Sequence, residues 1–312
     1  MSGSDTPLPN DPLWPRAGHW LSSADSIDLP SAQLALIGVP AYTTSITPTG
    51  AWATPAAIRD ALMRYSTYAG GRGVDVSALR AVDVGDVENP DGAEGETRVR
   101  AAVGVAASTG CSLLIALGGD NSITYPVMGG LLGDLSNCGL VTIDAHHDLR
   151  NGETNGSPVR RLLEAGLLGE RVVQIGIADF SNSEGYAKRA AQAGIRVVTR
   201  NEVATRRPAE IVAEALEVAG AGGGGVFVDI DVDVCDRAAV PGCPSAAPGG
   251  LSAAELREFA FLFGRAPQVR GIDITEIDAT ADAADQRTVR LGALLVLEAA
   301  AGLCVRLQTG VV

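Results

Sequence analysis

The sequence predicts an α/β protein with three layers, in which helices cover both faces of a mostly parallel sheet of about eight strands. Short apolar runs rich in β-branched residues alternate along the chain with segments of helical spacing. Such an alternation packs best when the strands lie parallel in one sheet and the connecting helices form two outer layers. The 312 residues, of which 46% are hydrophobic and 20% charged, are enough for one large domain of this class.

The predicted elements follow one another without a break in composition. Strands are expected at 34–39, 79–84, 112–117, 139–143, 172–177, 196–199, 226–231 and 269–274. Ala, Leu, Arg and Glu recur at helical spacing in the predicted helices, which cover 53–65, 96–108, 159–165, 208–218, 253–263 and 288–304. Residues 1–30 are rich in Pro, Ser and Asp without a clear period, which predicts an irregular arm before a single domain over 31–312.

Charge and hydropathy exclude several classes of partner. The formal net charge of -13 makes the average surface repel nucleic acids and anionic membranes. The chain does not begin with a basic segment followed by an apolar run, and Glu298 interrupts the longest apolar stretch. We therefore expect a cytoplasmic protein that acts on a small molecule, with neither nucleic acid nor a membrane as its partner.

Scarce residue types limit the chemistry further. The five cysteines never fall in a CxxC pair, which argues against a structural zinc site and a disulfide framework. The one lysine, Lys188, lies in a polar stretch typical of a surface helix, so Schiff-base chemistry is nearly excluded. Catalysis is left to carboxylates, hydroxyls, amides, arginine and the adjacent pair His146 and His147.

Polar clusters follow four of the predicted strands, at the sheet edge where open α/β proteins bind their ligands. The clusters are GGDNS at 118–122, DAHHD at 144–148, DIDVDVCD at 229–236 and DITE at 273–276. Side chains two residues apart in extended backbone point to the same side. Asp144, His146 and Asp148 can therefore converge, and Asp231 and Asp233 can join them from another strand.

This group of side chains indicates a metal centre. Buried carboxylates are unfavourable unless cations neutralise them, and the four aspartates would balance two divalent ions. Oxygen ligands with one imidazole favour Mn²⁺, with Co²⁺, Ni²⁺ and Fe²⁺ as alternatives. A single Asp after a strand usually caps a helix or a turn. The prediction of a metal centre therefore depends on the whole set of side chains and not on any one aspartate. His147, at the odd position, is expected to face away from the metal.

In their order along the chain, these motifs resemble those of the arginase/agmatinase/formimidoylglutamase (ureohydrolase) family. The similarity covers nearly the whole chain and includes Pro241 and Gly242 after the third motif. It is closest to formimidoylglutamase, because the segments 148–151, 154–161, 180–183 and 241–251 look like that branch. The resemblance implies an arginase-like fold and a homo-oligomer, either a trimer or a hexamer.

The activity that the resemblance implies is hydrolysis of the amidine C–N bond of N-formimidoyl-L-glutamate. The products would be L-glutamate and formamide, a step in histidine degradation. Divalent cations lower the pKa of a bridging water toward about 7, and the resulting hydroxide would attack the amidine carbon.

Carried over residue by residue, the resemblance implies two Mn²⁺ ions per subunit. The implied ligands are Asn121, Asp144, His146, Asp148, Asp231 and Asp233. Of these, Asp144 and Asp231 would bridge the two ions. Asn121 stands where arginases and agmatinases usually have a histidine ligand, so we expect the site involving Asn121 to bind its metal weakly.

Four residues are expected to handle the substrate. Glu276 would bind the amidinium through charge-assisted hydrogen bonds, and Asp148 would pass a proton to the departing amine. Arg150 either pairs with a substrate carboxylate or faces solvent. Asn155, expected among the substrate-binding residues, stands where arginases carry a histidine thought to shuttle protons, and asparagine cannot titrate.

Two alternatives remain open from the sequence. The first is a ureohydrolase that acts on arginine, agmatine, a guanidino acid or guanidine, and that would release urea instead of formamide. The second is a non-catalytic family member that keeps the fold after losing its metal. Asn121 and Asn155 favour the second alternative, whereas the retained carboxylates argue against it.

Overall fold

The structure is a computed structural model and describes residues 11–23, 32–108 and 110–310. The strands are β1 (Ser22–Ser23), β2 (Leu34–Val39), β3 (Tyr68–Ala69), β4 (Val74–Asp75), β5 (Ala81–Asp86), β6 (Leu113–Gly118), β7 (Gly139–Ile143), β8 (Val172–Ile177), β9 (Arg196–Thr199), β10 (Val226–Asp231) and β11 (Val269–Thr275). In the described part of the chain, nine strands form one sheet in the order β1-β5-β2-β6-β11-β10-β7-β8-β9. All of its pairings are parallel, and β3 and β4 form a separate antiparallel pair.

Helices cover both faces of this sheet. They are α1 (Thr54–Leu62), α2 (Gly92–Ser108), α3 (Thr124–Leu132), α4 (Pro158–Glu164), α5 (Glu184–Gln192), α6 (Arg200–Val203), α7 (Pro208–Ala219), α8 (Ala253–Arg265) and α9 (Arg287–Gln308). Successive residues of β2 enter two separate cores: Leu34 and Leu36 join one, while Ala35 and Ile37 join the other. This alternation confirms the predicted three-layer class, because each face of the sheet buries its own set of apolar side chains.

All eight predicted apolar runs form strands of the main sheet, although the run at 79–84 lies two residues too early relative to β5. The ninth strand, β1, falls in the segment that was predicted to be irregular and pairs with β5. Its two serines give no hydrophobic pattern from which a strand could be predicted. Their extended conformation is defined by the pairing with β5. Residues 1–10 and 24–30 of the predicted arm lie outside the described residues.

One helix in the described part of the chain, α9, is long and apolar enough to cross a membrane by length and composition. In this fold 72% of its apolar window is buried inside the protein. Its side chains belong to the larger apolar core, where Leu295 and Leu303 are fully buried. The helix therefore serves as a core helix of this domain.

The sheet order places the four acidic and amide motifs together. Strands β6, β11, β10 and β7 are neighbours in the middle of the sheet, and each is followed by one of the polar clusters. Since parallel strands end at the same edge, the side chains that follow them meet there. The first and the last of the four motifs thus lie on adjacent strands, β6 and β11, although they are far apart in the chain.

Candidate metal centre

Three of the predicted ligands form a compact group at this edge of the sheet. The ligand atoms of Asp144, His146 and Asp233 all lie within 4.8 Å of one another. Nδ1 of His146 is 2.8 Å from Oδ2 of Asp233 and 3.5 Å from Oδ1 of Asp144. Asp231 lines the same cavity as His146 and Asp233, so the structure brings the second and third motifs to one place.

Turns, and not strand alternation, position these side chains. Strand β7 ends at Ile143 and β10 ends at Asp231, so most of the ligand residues lie beyond the extended backbone that the sequence argument assumed. Oδ1 of Asp144 accepts a hydrogen bond from the backbone N–H of His146 at 2.6 Å. Oδ1 of Asp231 accepts from the backbone N–H of Asp233 at 2.8 Å and so caps a short 3₁₀ helix. The predicted convergence is present, but the reason given for it was wrong.

Asp148 reaches the group from a strained backbone position. Its φ of 53° lies in the left-handed region, which a non-glycine residue rarely adopts. Oδ2 of Asp148 accepts a hydrogen bond from Nδ2 of Asn121 at 2.5 Å, while Oδ1 of Asn121 accepts from the hydroxyls of Thr124 and Thr275. Asn121 therefore presents its nitrogen to Asp148. Its assignment as a metal ligand requires the amide to turn and stays a prediction.

The carboxylates of this group are poorly compensated by the protein itself. Burial, followed by the charges of neighbouring aspartates, raises the pKa values of Asp144 and Asp231 well above the usual range. Burial raises the pKa of Asp148 to about 7. Oδ2 of Asp144 is buried without a hydrogen-bond partner in the described structure. A buried carboxylate oxygen of this kind is a ready acceptor for a cation.

His146 is the one cationic partner inside the group. Burial alone would lower the pKa of His146, but the charge of Asp233 and their hydrogen bond raise it to about 10. The same contact outweighs the burial of Asp233 and holds the pKa of that carboxyl below its usual value. The position between Asp144 and Asp233 therefore favours positive charge.

The substrate-binding residues predicted from the sequence line the same cavity, which has a volume of 120 Å³. The lining residues are Ile46, Thr47, His146, Asp148, Arg150, Asn155, Gly156, Asp231, Asp233, Pro244, Ser245 and Glu276. The stem of Arg150 packs over Gly156, where an added Cβ would lie 2.7 Å from Cδ of the arginine. The Arg150 guanidinium has no hydrogen-bond or ion-pair partner within the described ranges, so it is available to an anionic ligand.

Glu276 forms the floor of this cavity. Its φ of 64° is also in the left-handed region. Oε1 of Glu276 accepts hydrogen bonds from the backbone N–H of Asn121 at 2.8 Å and from Nδ2 of Asn155 at 2.9 Å. Burial, followed by the charge of Asp120, raises the pKa of Glu276 to about 8. Both of these donors are neutral, so within the described residues the buried carboxylate has no cationic partner, and a cationic amidine can take that place.

Two groups behind the site were not identified as such from the sequence. Asp229 and Asp273 are register partners on β10 and β11 and are completely buried. Burial raises the pKa of Asp273 to about 7, and burial and the charge of Asp273 raise that of Asp229 well above its usual value. The alternation of aspartates on β10 is visible in the sequence, but this pairing needs the sheet order.

The expectation for His147 is confirmed. The side chain is buried away from the metal group, and its Nδ1 lies 2.6 Å from Oε1 of Gln174. Nε2 of Gln174 in turn donates to the backbone oxygen of His147. These two contacts fix the turn that carries the second motif.

Comparisons with known proteins agree with the family that the motifs indicated. The sequence model of the arginase family matches residues 32–302. The formimidoylglutamase of Halalkalibacterium halodurans is 37% identical over 286 residues, which is 87% of each chain. The crystal structure of formimidoylglutamase from Bacillus subtilis superposes with a TM-score of 0.88 at 31% identity and covers 97% of this chain and 96% of that one. The structure of Trypanosoma cruzi formiminoglutamase with Mn²⁺ shares the fold, with a TM-score of 0.85 at 24% identity over 94% of this chain and 99% of that one.

The predicted arginase-like fold is thereby confirmed over nearly the whole described chain. The match extends through all four motifs, and the two formimidoylglutamases given above pass 30% identity at high coverage. The chain belongs to the arginase family.

Proposed function

We propose that this protein is a manganese-dependent hydrolase that converts N-formimidoyl-L-glutamate and water into L-glutamate and formamide. One observation carries this proposal: the guanidinium of Arg150, which has no partner among the described residues, shares a cavity with a carboxylate and imidazole group suited to divalent cations. The substrate has a cationic amidine at one end and carboxylates at the other, which matches this arrangement. The formimidoylglutamase relatives support the same substrate.

The donor set fits manganese. The proposed ligands are Asp144, His146, Asp148, Asp231 and Asp233, with Asn121 joining them only if its amide turns. Carboxylate oxygens with an imidazole are ligands that Mn²⁺ accepts readily, and the unpartnered Oδ2 of Asp144 supports a cation at this place. Bound Mn²⁺ would supply an activated water for attack on the amidine carbon.

The residues of the chain perform the remaining steps. Glu276 binds the amidinium through charge-assisted hydrogen bonds, and Arg150 pairs with a carboxylate of the glutamate portion. As water adds to the amidine carbon, the bond from that carbon to the glutamate nitrogen breaks. Asp148 delivers a proton to this nitrogen, so that glutamate leaves as the amine and the carbon is released as formamide.

A guanidino acid is the second candidate substrate, because it also combines a cationic group with a distal carboxylate. Agmatine fits less well, since its distal amine would face the guanidinium of Arg150. A guanidino acid would give urea in place of formamide, so the two candidates differ in their products.

The expected cellular setting belongs to the same proposal. We infer a cytoplasmic enzyme that assembles as a trimer or hexamer of 31.9 kDa chains. Light scattering on the purified protein measures this directly, and a mass of one chain would contradict the assembly.

The experiment that tests the proposal separates the two products. The manganese-loaded protein is incubated with N-formimidoyl-L-glutamate, arginine, agmatine and guanidinobutyrate, and formamide and urea are scored separately with an EDTA-treated control. Formamide from the first substrate, lost with EDTA, is the expected result. Urea from a guanidino compound would change the substrate, and no product from any of the four would contradict the proposal.

A further inference from the structure

Asn155 lies between Glu276 and the loop of residues 42–50, which we call the mouth loop. Nδ2 of Asn155 donates a hydrogen bond to Oε1 of Glu276 at 2.9 Å, and Oδ1 accepts one from the backbone N–H of Ile46 at 3.1 Å. The backbone N–H of Asn155 also donates to the carbonyl of Thr44 at 3.2 Å. One amide thus connects the acid at the floor of the cavity with the loop at its rim.

The mouth loop forms neither a helix nor a strand, so contacts from outside the loop must hold its conformation. Three carboxylates supply these contacts. Asp91 accepts hydrogen bonds from the backbone N–H groups of Tyr42 and Thr43. The buried carboxylate of Asp120 accepts from the hydroxyls of Thr44 and Ser45, and Asp278 accepts from the backbone N–H of Gly50. With both ends and its middle fixed, the loop offers Asn155 a firm attachment.

Glu276 needs such an attachment to present a defined oxygen to the cavity. Its Oε1 receives two donors, the backbone N–H of Asn121 and Nδ2 of Asn155. Its Oε2 has no hydrogen-bond partner among the described residues, and the side chain lines the cavity. Two donors on one carboxylate oxygen fix the plane of the group and leave the other oxygen directed at a ligand.

We propose that Asn155 is a positioning residue that acts through Glu276, and that it couples the orientation of this carboxylate to the mouth loop. Asn155 then contributes to the reaction without contacting the substrate itself. This differs from the substrate-binding role that the sequence suggested. The expected effect on turnover rests on the proposed function. The coupling of Asn155 to Glu276 is argued from their contacts alone.

The variant Asn155→Asp distinguishes the hydrogen bond that Asn155 donates to Glu276 from the one that it accepts from Ile46. Aspartate keeps an acceptor for the Ile46 N–H but removes the donor to Glu276 and places a like charge beside it. We expect kcat to fall by at least about tenfold while KM changes by less than about threefold, since a turned Glu276 still binds the amidinium but holds its carbon out of line for attack. Wild-type kcat in this variant would mean that Asn155 only anchors the loop, and a raised KM at constant kcat would mean that it binds substrate. Either result overturns the proposal.

Asn201→Asp is the matched control. Nδ2 of Asn201 lies 3.3 Å from Oδ2 of Asp179, so the substitution makes the same chemical change beside another carboxylate, and neither residue lines the cavity of Glu276. We expect its kcat and KM to stay within about twofold of the wild type. A loss equal to that of Asn155→Asp would overturn the specific coupling to Glu276.

A double-mutant cycle tests whether Asn155 acts through Glu276. In the Glu276→Met background, in which no side-chain oxygen accepts from Asn155, Asn155→Ala should lower kcat by less than about twofold further, although it lowers kcat about tenfold in the wild type. Additive losses would overturn the proposal. The cycle uses whichever substrate the protein hydrolyses, so a failure of the proposed substrate is recorded separately.

Urea unfolding of the same four proteins without metal supplies a second cycle that needs no substrate. The effects of the two substitutions on the unfolding equilibrium constant should be non-additive by about fivefold, because each removes the same hydrogen bond. Additive effects there would overturn the direct coupling whatever the protein hydrolyses.

Discussion

Two cavities of this molecule differ in size and in chemistry. The larger, with a volume of 440 Å³, lies among α7, α8 and α9 and is lined mainly by apolar side chains such as Leu216 and Leu262. The smaller, with 120 Å³, lies at the carboxyl edge of the sheet and contains Asp148, Asp231 and Asp233. Size would select the first as the functional site. The buried aspartates indicate the smaller cavity instead. Burying like charges together is unfavourable unless a ligand compensates for them, so such a group is typical of a binding site.

Removal of an acid from the smaller cavity is expected to have the largest effect. Asp231→Ala should lose bound manganese and lower turnover by more than about 100-fold, since even residues that only support metal ligands cost 10-fold to 100-fold. The metal-free variant should unfold at the same or a higher temperature, because one of several repelling buried carboxylates is gone. Metal analysis, turnover and thermal unfolding measure the three quantities.

The control for this variant is Asp285→Ala, which removes an exposed carboxylate that pairs with Arg287. It should keep the metal and the turnover of the wild type. Retained turnover in Asp231→Ala would show that the smaller cavity is not a metal-dependent site.

Loss of the free guanidinium should affect binding more than chemistry. Arg150→Met is expected to raise KM for N-formimidoyl-L-glutamate by about 10-fold to 100-fold with little change in kcat, because a hydrogen bond to a charged group is worth about 1.5–3 kcal/mol. Steady-state kinetics of this variant beside Arg207→Met, a surface control paired with Glu210, measure the effect. An unchanged KM would place the substrate carboxylate elsewhere.

The metal-free protein should become less stable as the pH rises from 6 to 9. The folded-state pKa values of Asp148, Glu276 and His146 are raised, to about 7, 8 and 10. In this pH window the folded chain binds more protons than the unfolded chain, so the free energy of unfolding falls with pH. The lowered pKa of Asp233 acts only at acidic pH. Thermal unfolding in EDTA measures this trend, and a melting temperature that rises from pH 6 to 9 would contradict it.

Changes in the larger cavity should leave the chemistry alone. Leu262 is 8% exposed, and Leu262→Ala is expected to lower the free energy of unfolding by about 2–3 kcal/mol without changing kcat/KM or metal content. Leu168, which is 45% exposed, provides the control Leu168→Ala with little loss of stability. A change in kcat/KM beyond twofold in Leu262→Ala would show that the two cavities are coupled.

Most periodic elements of the fold were predictable from the sequence because each repeats its pattern over several residues, but α3 was not among the predicted helices. The order of the strands in the sheet was not predictable, since it depends on how the connecting helices cross the sheet. Strand β1 escaped prediction because Ser22 and Ser23 pair with β5 without any apolar pattern of their own. Only the sheet order reveals that Asp229 and Asp273 are neighbours.

The convergence of the second and third motifs was predictable from the sequence, but the geometry of the site was not. The motifs place Asp144, His146 and Asp233 together, as the structure does. The orientation of Asn121 depends on hydrogen bonds from the hydroxyls of Thr124 and Thr275. No local sequence pattern predicts these contacts. The link from Asn155 to the mouth loop likewise joins segments that are distant in the chain.

The most direct test of this account is a calorimetric titration of the metal-free protein with Mn²⁺ at pH 7, repeated in two buffers of different ionisation enthalpy. Two ions per chain and a net release of protons are expected, because the ions displace protons that the buried acids and His146 hold in the metal-free state. Absence of binding, or binding without proton release, would contradict the claim that the acids at the carboxyl edge form a metal centre.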